Sequence, residues 1–542
     1  MMGLSKCALT AVLCVVMSGL PAFAQAPETP PRPLPLPPGM SPSTLTLADA
    51  IQLSLRSNLD VQLARFTPRI REQDVFLQEA FFDPNLGFSA EKQDNSTPTQ
   101  NVFDIDPNDI QTPLEVIAVD ETLHRYSAGF SDRMRFGGSY SADLFMTRRT
   151  STSANQLLPT TYFSALVLAY NQSLLRGWGS EINATPIRIA QTNLEISRSE
   201  FLDSVLAVLQ RTEDAYWELV FSRQDLEVNL ESLRLAQELL KLNRIKVQVG
   251  TLPPIEITTA EAEVANREQG VIVAENTVRD AEDTLRLVLN LPKTDDLWSQ
   301  PIAPSEKPEF MERTVNLQSE LEEALRERPD LKQARLAIEN AESQLKFDRS
   351  QLRWDLVGYA QYTVSGLAGD VEQPQVLIAD PNNPVIIPPQ DQDFADALEF
   401  IPDRDFPSWT VGATVSIPIG NNAARARYSS ALLSRDQAVA NYENLKLIAE
   451  VDVRTAARAI DTNRKRIEAA EKNVELQKKK VEAEQKKFEN GMSTSFQVLE
   501  FQEDLTTALG TLNRALVDYR KSLTALERAK GTLDDYLKVE IQ

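Results

Sequence analysis

Apolar residues recur every seven positions in two stretches of the chain. Leu226, Leu233, Leu240 and Val247 form one series, which stops three residues short of Gly250. Ile467, Val474, Val481 and Phe488 form a second, which stops three residues short of Gly491. The offset between them is 241 throughout, and it also links Val264, Val271, Val278 and Leu285 to Leu505, Leu512, Tyr519 and Leu526 beyond the glycines. Two pairs of series in common register, turning on matching glycines, predict a duplicated helical hairpin of coiled-coil type. A strict spacing of seven keeps each seam against its partner only if the helices supercoil left-handedly. Proline is absent between Pro186 and Pro253 and after Pro418, so helices of about 60 residues, roughly 90 Å long, are permitted. Their other faces carry dense charge, as in Lys478, Lys479, Lys480, Glu482 and Glu484, the pattern of a solvated face.

Between the helical arms the period changes to two. Trp409, Val411, Ala413, Val415 and Ile417 alternate with Ser408, Thr410, Gly412, Thr414 and Ser416, which predicts a strand with one apolar and one polar face. Similar alternation runs through Leu86–Ala90, Tyr126–Phe130 and, after the turn at Phe136-Gly137-Gly138, Tyr140–Met146; Tyr162–Gln172 and Leu356–Val364 are less regular. Several of these strands approach the roughly 9 to 11 residues that cross a bilayer in a tilted barrel. A soluble antiparallel sheet with one face on a core has the same pattern. Four to six strands are too few to enclose a water-filled lumen, so a barrel would need several chains to pool them.

The duplication extends upstream. Leu55-Arg56-Ser57-Asn58-Leu59-Asp60 parallels Leu325-Arg326-Glu327-Arg328-Pro329-Asp330, and each is expected inside an amphipathic helix. Gln172-Ser173-Leu174 parallels Ile417-Pro418-Ile419. The regions from Asp94 to Thr161 and from Gly369 to Asp405 are the places for the length differences, and within them the acidic, turn-rich stretches Asn101–Glu121 and Gly369–Asp405 are expected as exposed loops. The expected division is a signal peptide over 1–26, a proline-rich tether over 27–43, a first repeat over 44–300, a second over 301–535 and a tail over 536–542.

Composition narrows the chemistry. The chain has 542 residues, 56 basic and 78 acidic, with a formal charge of −22, which disfavours nucleic acid and anionic surfaces as partners. Lys6, the apolar run Ala8–Leu20 and Ala22-Phe23-Ala24 make the three-part pattern of a secretory signal. Both cysteines, Cys7 and Cys14, lie within it, so the mature chain holds no thiol for a disulfide, nucleophile or zinc site. His124 is the single histidine. Asp104, Asp106, Asn108 and Glu115 have the spacing of a calcium loop but lack its glycine at position six. No phosphate loop or nucleophile elbow occurs, so neither catalysis nor a cofactor is expected.

Two copies of helix, strand, loop, strand and long hairpin behind a signal peptide resemble the TolC-like outer-membrane efflux protein family. The sharpest matches are the hairpin turns, Lys246-Val247-Gln248-Val249-Gly250-Thr251-Leu252 and Lys487-Phe488-Glu489-Asn490-Gly491-Met492-Ser493, together with the strand ends at Gln172-Ser173-Leu174-Leu175 and Ile417-Pro418-Ile419. The resemblance implies a mainly α fold with a small β part. Strands from a homotrimer would close one barrel in outer-membrane lipid, and the long hairpins would form a periplasmic α-barrel. It implies docking of the helix tips to a periplasmic adaptor (membrane fusion) protein, linked to an inner-membrane transporter, through Lys246, Val249, Gly250, Leu252, Lys487, Asn490 and Gly491. Asn490 departs from the apolar residue usual there. The family's constriction carboxylates fall six and nine residues after the second-repeat glycine, here Gln497 and Glu500, with Glu256 six after the first. The family has two strands per repeat, so the hairpin at Tyr126–Met146 is additional, either widening the barrel or lying outside it. An exit channel for small molecules or secreted polypeptides is the expected function. The alternative is a trimeric periplasm-spanning tether or adhesin whose helices form a rod without a lumen.

Overall fold

The computed structural model describes residues 44–98, 118–153, 158–291, 296–370, 375–377 and 385–539. The expected signal peptide and tether, the calcium-like spacing at Asp104–Glu115 and the last three residues of the tail lie outside them.

The chain divides into two compact units. The first comprises the residues up to Gln62, Ala207–Arg313 and Ala459–Ala525, and the second comprises Leu63–Leu206, Thr314–Arg458 and the residues from Leu526. The principal elements, in chain order, are α1 (Leu47–Ser57), α2 (Leu59–Glu79), β1 (Asn85–Pro98), β2 (Ala118–Arg133), β3 (Gly138–Ser151), β4 (Thr160–Ser173), α3 (Thr185–Gln248) and α4 (Ile255–Leu289). These are followed by α5 (Leu317–Glu327), α6 (Pro329–Ser350), β5 (Asp355–Asp370), α7 (Phe394–Asp403), β6 (Pro407–Ser416), α8 (Asn422–Glu489) and α9 (Ser495–Lys530). Helices α3 and α8 have 64 and 68 residues, the length that the absence of proline permits. Among the described residues no helix is long and apolar enough to cross a membrane.

In the first unit, Tyr216, Leu219, Leu285, Leu289 and Ile302 form a buried core around α3 and α4. The second-repeat series Ile467, Val474, Val481 and Phe488 is buried as its spacing predicts. The first-repeat series is displaced: Leu226, Leu233, Leu240 and Val247 are only half-buried, and the deep positions are Ser232, Ala236, Leu239 and Asn243. Those four still follow the 4-3-4 rhythm of a coiled-coil seam, with small and polar residues that allow close helix approach.

The two parallel hexapeptides correct the expectation that each lies inside one helix. Each straddles a break, with Asn58 at φ −61°, ψ 128° and Arg328 at φ −56°, ψ 124°. Pro329 excludes the helical conformation from the residue before it. In the first repeat Asn58 does the same work by hydrogen bonds: its Oδ1 accepts from the Asp60 and Val61 N–H groups at 2.8 and 3.3 Å, capping α2.

The second unit holds a six-stranded sheet of order β6-β5-β4-β3-β2-β1, antiparallel throughout. The additional hairpin β2–β3 is therefore a full part of the sheet, inserted between β1 and β4. Register separates the two faces. One row reads Trp409, Tyr362, Leu168, Ala142, Phe130, Leu86. The next row, on the opposite face, reads Thr410, Gln361, Ala169, Ser141, Ser131, Asn85. The apolar face is uncovered over much of its area: Trp409 is 74% and Val411 70% exposed.

Candidate functional site: the hairpin tips and the groove beside them

Both hairpin turns, which lie in the first unit, close with the same backbone motif. After α3 the Gly250 N–H donates to Val247 O at 3.0 Å and the Thr251 N–H to Lys246 O at 2.9 Å. After α8 the Gly491 N–H donates to Phe488 O at 3.1 Å and the Met492 N–H to Lys487 O at 2.9 Å. This is the Schellman arrangement, in which a left-handed residue lets the chain satisfy the last helical carbonyls. Gly250 and Gly491 supply it with φ of +79° and +74°, and no atom stands where a Cβ would be on either. The lysine four residues before each glycine thus occupies the last helical turn, where positive charge meets the negative end of the macrodipole.

The two lysines act differently. Lys246 is half-buried and reaches into the second repeat, its Nζ donating to Phe488 O at 2.9 Å and lying 3.9 Å from the centre of the Phe488 ring. Lys487 is exposed and pairs within its own helix with Glu484 at 2.9 Å. Glu484 also accepts from Ser493 across the turn, and the hydrogen bonds from Ser493 and Lys487 hold its carboxyl below its usual range. Asn490 is exposed and donates to Lys486 O at 2.7 Å, so its amide finishes the helix end. Val249 is 68% exposed. Leu252 instead packs against Ala236, Leu239, Phe488, Val498 and Leu499.

The three residues proposed for the constriction separate. Glu256, in the first turn of α4, accepts from Ser495 Oγ and so links α4 to the start of α9. Gln497 is exposed and accepts from Ser493 Oγ at 3.0 Å. Glu500 is exposed, and among the described residues it makes no hydrogen bond or ion pair. It lines an open groove of about 490 Å³ with Thr258, Glu263, Phe496 and Glu503. Arg267 pairs with Glu263 at 2.6 Å and Glu503 at 3.6 Å, leaving Glu500 as the uncompensated charge of the groove. Glu503 and Arg267 were not singled out from the sequence. Glu503 lies three residues after Glu500, on one helix face, a signal that was available; Arg267 belongs to another helix and had none.

Further along the first unit, burial pushes Glu213 up, more than the hydrogen bonds from Thr524 and Trp217 pull it down. Burial also raises Asp214. For Glu218 burial is outweighed by Lys521 and Arg514, which hold its carboxyl low.

Long duplicated hairpins with matched tips, joined to strands of one apolar and one polar face, define a channel protein of the bacterial outer membrane with a periplasmic extension. The chain belongs to the outer membrane efflux protein family, whose sequence profile matches residues 175–291 and 321–532. Its fold is similar to that of the Campylobacter jejuni CmeC outer membrane channel, at 16% identity and a TM-score of 0.61, covering 90% of this chain and 86% of that one. It is also similar to the outer membrane protein VceC from Vibrio cholerae, at 14% identity and a TM-score of 0.61, over 90% and 96% of the two chains. The open state of the Neisseria gonorrhoeae MtrE outer membrane channel matches at 14% identity and a TM-score of 0.58, over 90% and 89%. No curated protein matches the chain significantly. The protein is accordingly an exit channel, and the tether reading is set aside.

Proposed function

We propose that three copies of the chain close a single barrel in outer-membrane lipid and conduct small molecules or secreted polypeptides outward, with the hairpin tips docked to a periplasmic adaptor that connects to an inner-membrane transporter. The observation that carries this reading is the sheet itself. Its two outer strands, β1 and β6, have no partner on one side among the described residues, and its uncovered face is apolar. Open strand edges are intolerable in hydrocarbon, and pairing β1 of one copy with β6 of the next removes them. Three sheets of six strands make eighteen, within the range of about 16 to 18 that leaves an aqueous lumen; the additional hairpin β2–β3 is what widens the barrel.

The helices support the same assembly. Leu63, Phe66, Ile70 and Leu77 of α2 are exposed, and their 3-4-7 spacing is an unpartnered coiled-coil seam. Leu447 and Val451 of α8 are exposed as well, and a neighbouring copy is the occupant that covers both stripes. At the tips, Val249, Lys487, Asn490 and the two glycines form the exposed adaptor-docking surface, and three Glu500 carboxylates around one axis form a cation-favouring constriction. Planar-bilayer conductance of the purified protein tests the reading. Discrete steps with cation preference support it, and a folded, inserted protein without conductance overturns it.

A further inference from the structure

Helix α7 belongs to the second unit and packs on the sheet from the apolar side. Ser164 Oγ donates to Ala397 O at 2.5 Å, and a Cβ at Gly366 would collide with that same carbonyl. The Phe394 ring meets Tyr162 at 5.0 Å and Tyr126 at 6.1 Å, edge to face in both cases. Register puts Tyr126, Ser164 and Gly366 on the face that carries Trp409 and Leu168, the uncovered apolar face that the proposed barrel turns to lipid. The seat is specific to the helix: a serine hydroxyl is costly against hydrocarbon, and here α7 buries it completely.

Burial along β5 changes abruptly at this seat. On the apolar face Leu356, Gly358, Ala360 and Tyr362 remain half-exposed, whereas Val364, Gly366 and Ala368 are buried under the helix. The outer side of α7 is unsuited to hydrocarbon, because Asp393, Glu399 and Asp403 are exposed on and beside it and carboxylates in the bilayer interior are strongly disfavoured. At the helix-proximal end of β5, Trp354 is exposed, as expected of an interfacial anchor. The ten residue steps from Trp354 to Val364 span about 33 Å at ~3.3 Å per step, or about 25 Å along the normal of a barrel tilted ~40°, the height of an outer-membrane apolar band.

We propose that α7 lies in the lipid headgroup layer on the outside of the barrel, its apolar side seated on β4 and β5 and its acidic side among the headgroups. It marks the distal limit of the hydrocarbon band. The inference rests on the barrel reading of the sheet and adds to it a dedicated lipid-surface element.

Depth measurement by spin labelling tests it. The expected mature chain has no cysteine of its own, so single labels at Glu399→Cys and Val411→Cys can be read in the full-length protein reconstituted in zwitterionic phosphatidylcholine vesicles, whose headgroups do not repel the acidic side of α7. The Val411 label should be reached by oxygen and not by a water-soluble nickel chelate. The Glu399 label should be reached by both, at headgroup depth, and Gly366→Val should raise its nickel accessibility to that of a freely aqueous label. Ser164→Ala, with the same expectation in a smaller degree, replaces Gly366→Val if the latter fails to insert. A Val411 label in hydrocarbon beside a Glu399 label that is already fully aqueous in the parent overturns this inference alone. A Val411 label reached freely by nickel overturns the barrel reading and this inference together.

Discussion

The ammonium of Lys246 sits 2.9 Å from the carbonyl oxygen of Phe488 and 3.9 Å from the centre of its ring, tying the end of one long helix to the end of the other. A charge-assisted hydrogen bond contributes about 1.5–3 kcal/mol, and a cation over an aromatic face about 0.5–2 kcal/mol. Lys246→Met should therefore loosen the tips, lowering the thermal midpoint of the helical signal in circular dichroism and raising mean conductance in a bilayer. Unchanged values in both would show that the contact holds nothing closed.

Glu500 and Glu503 share a groove but not a charge state of their surroundings, since Arg267 compensates only the latter. Glu500→Gln should reduce cation preference in reversal-potential measurements, and Glu503→Gln should leave it nearly unchanged. Equal effects, or an effect of Glu503 alone, would remove Glu500 from the constriction.

Because no atom crowds either tip glycine, replacing one costs only conformational strain, about 1–2 kcal/mol for alanine in the left-handed region. Gly491→Ala should lower stability by that amount, Gly491→Asn by less, because asparagine tolerates this conformation. Thermal unfolding of the three proteins gives the order, and a loss for asparagine as large as for alanine would point to a steric role.

Glu213 introduces a pH dependence with a definite sign. Its folded pKa lies above the ordinary value of 4.5, so its contribution to stability is complete below that value and is lost as pH rises through the raised folded value. Glu213→Gln, which keeps an acceptor for the Trp217 indole N–H now 3.3 Å from Oε1, should exceed the parent in midpoint temperature at pH 7.5. The difference should shrink toward pH 4. A constant difference across that range would show that ionisation of Glu213 is not its cause.

Much of the architecture was legible because it repeats. Matching series at a fixed offset located both hairpins, and Gly250 and Gly491 marked turns whose conformation only glycine adopts easily. The strands were legible from Trp409 to Ile417 because one face stays apolar at every second residue. The first-repeat seam was misplaced, since Ser232, Ala236 and Asn243 do not stand out among neighbouring leucines, although close helix approach favours them. The break at Asn58 was hidden because an asparagine mid-pattern also fits a continuous helix, and only its contacts show the turn. The pairing of Lys246 with Phe488 joins residues far apart in the chain and left no local trace. Helix α7 lay within a stretch read as loop, where prolines and acids outweighed its short apolar side.

The central claim is that β1 of one copy pairs with β6 of the next, so that three copies enclose a lumen through lipid. Disulfide scanning in native membranes tests it most directly, with Thr410→Cys in β6 set against single cysteines at successive polar-face positions of β1, such as Gly87→Cys and Ser89→Cys. The account predicts that at least one pairing yields a covalent trimer on a denaturing gel, with neighbouring positions yielding less. Covalent dimers as the end point, or a folded monomer that stays in solution without detergent and never cross-links, would contradict it.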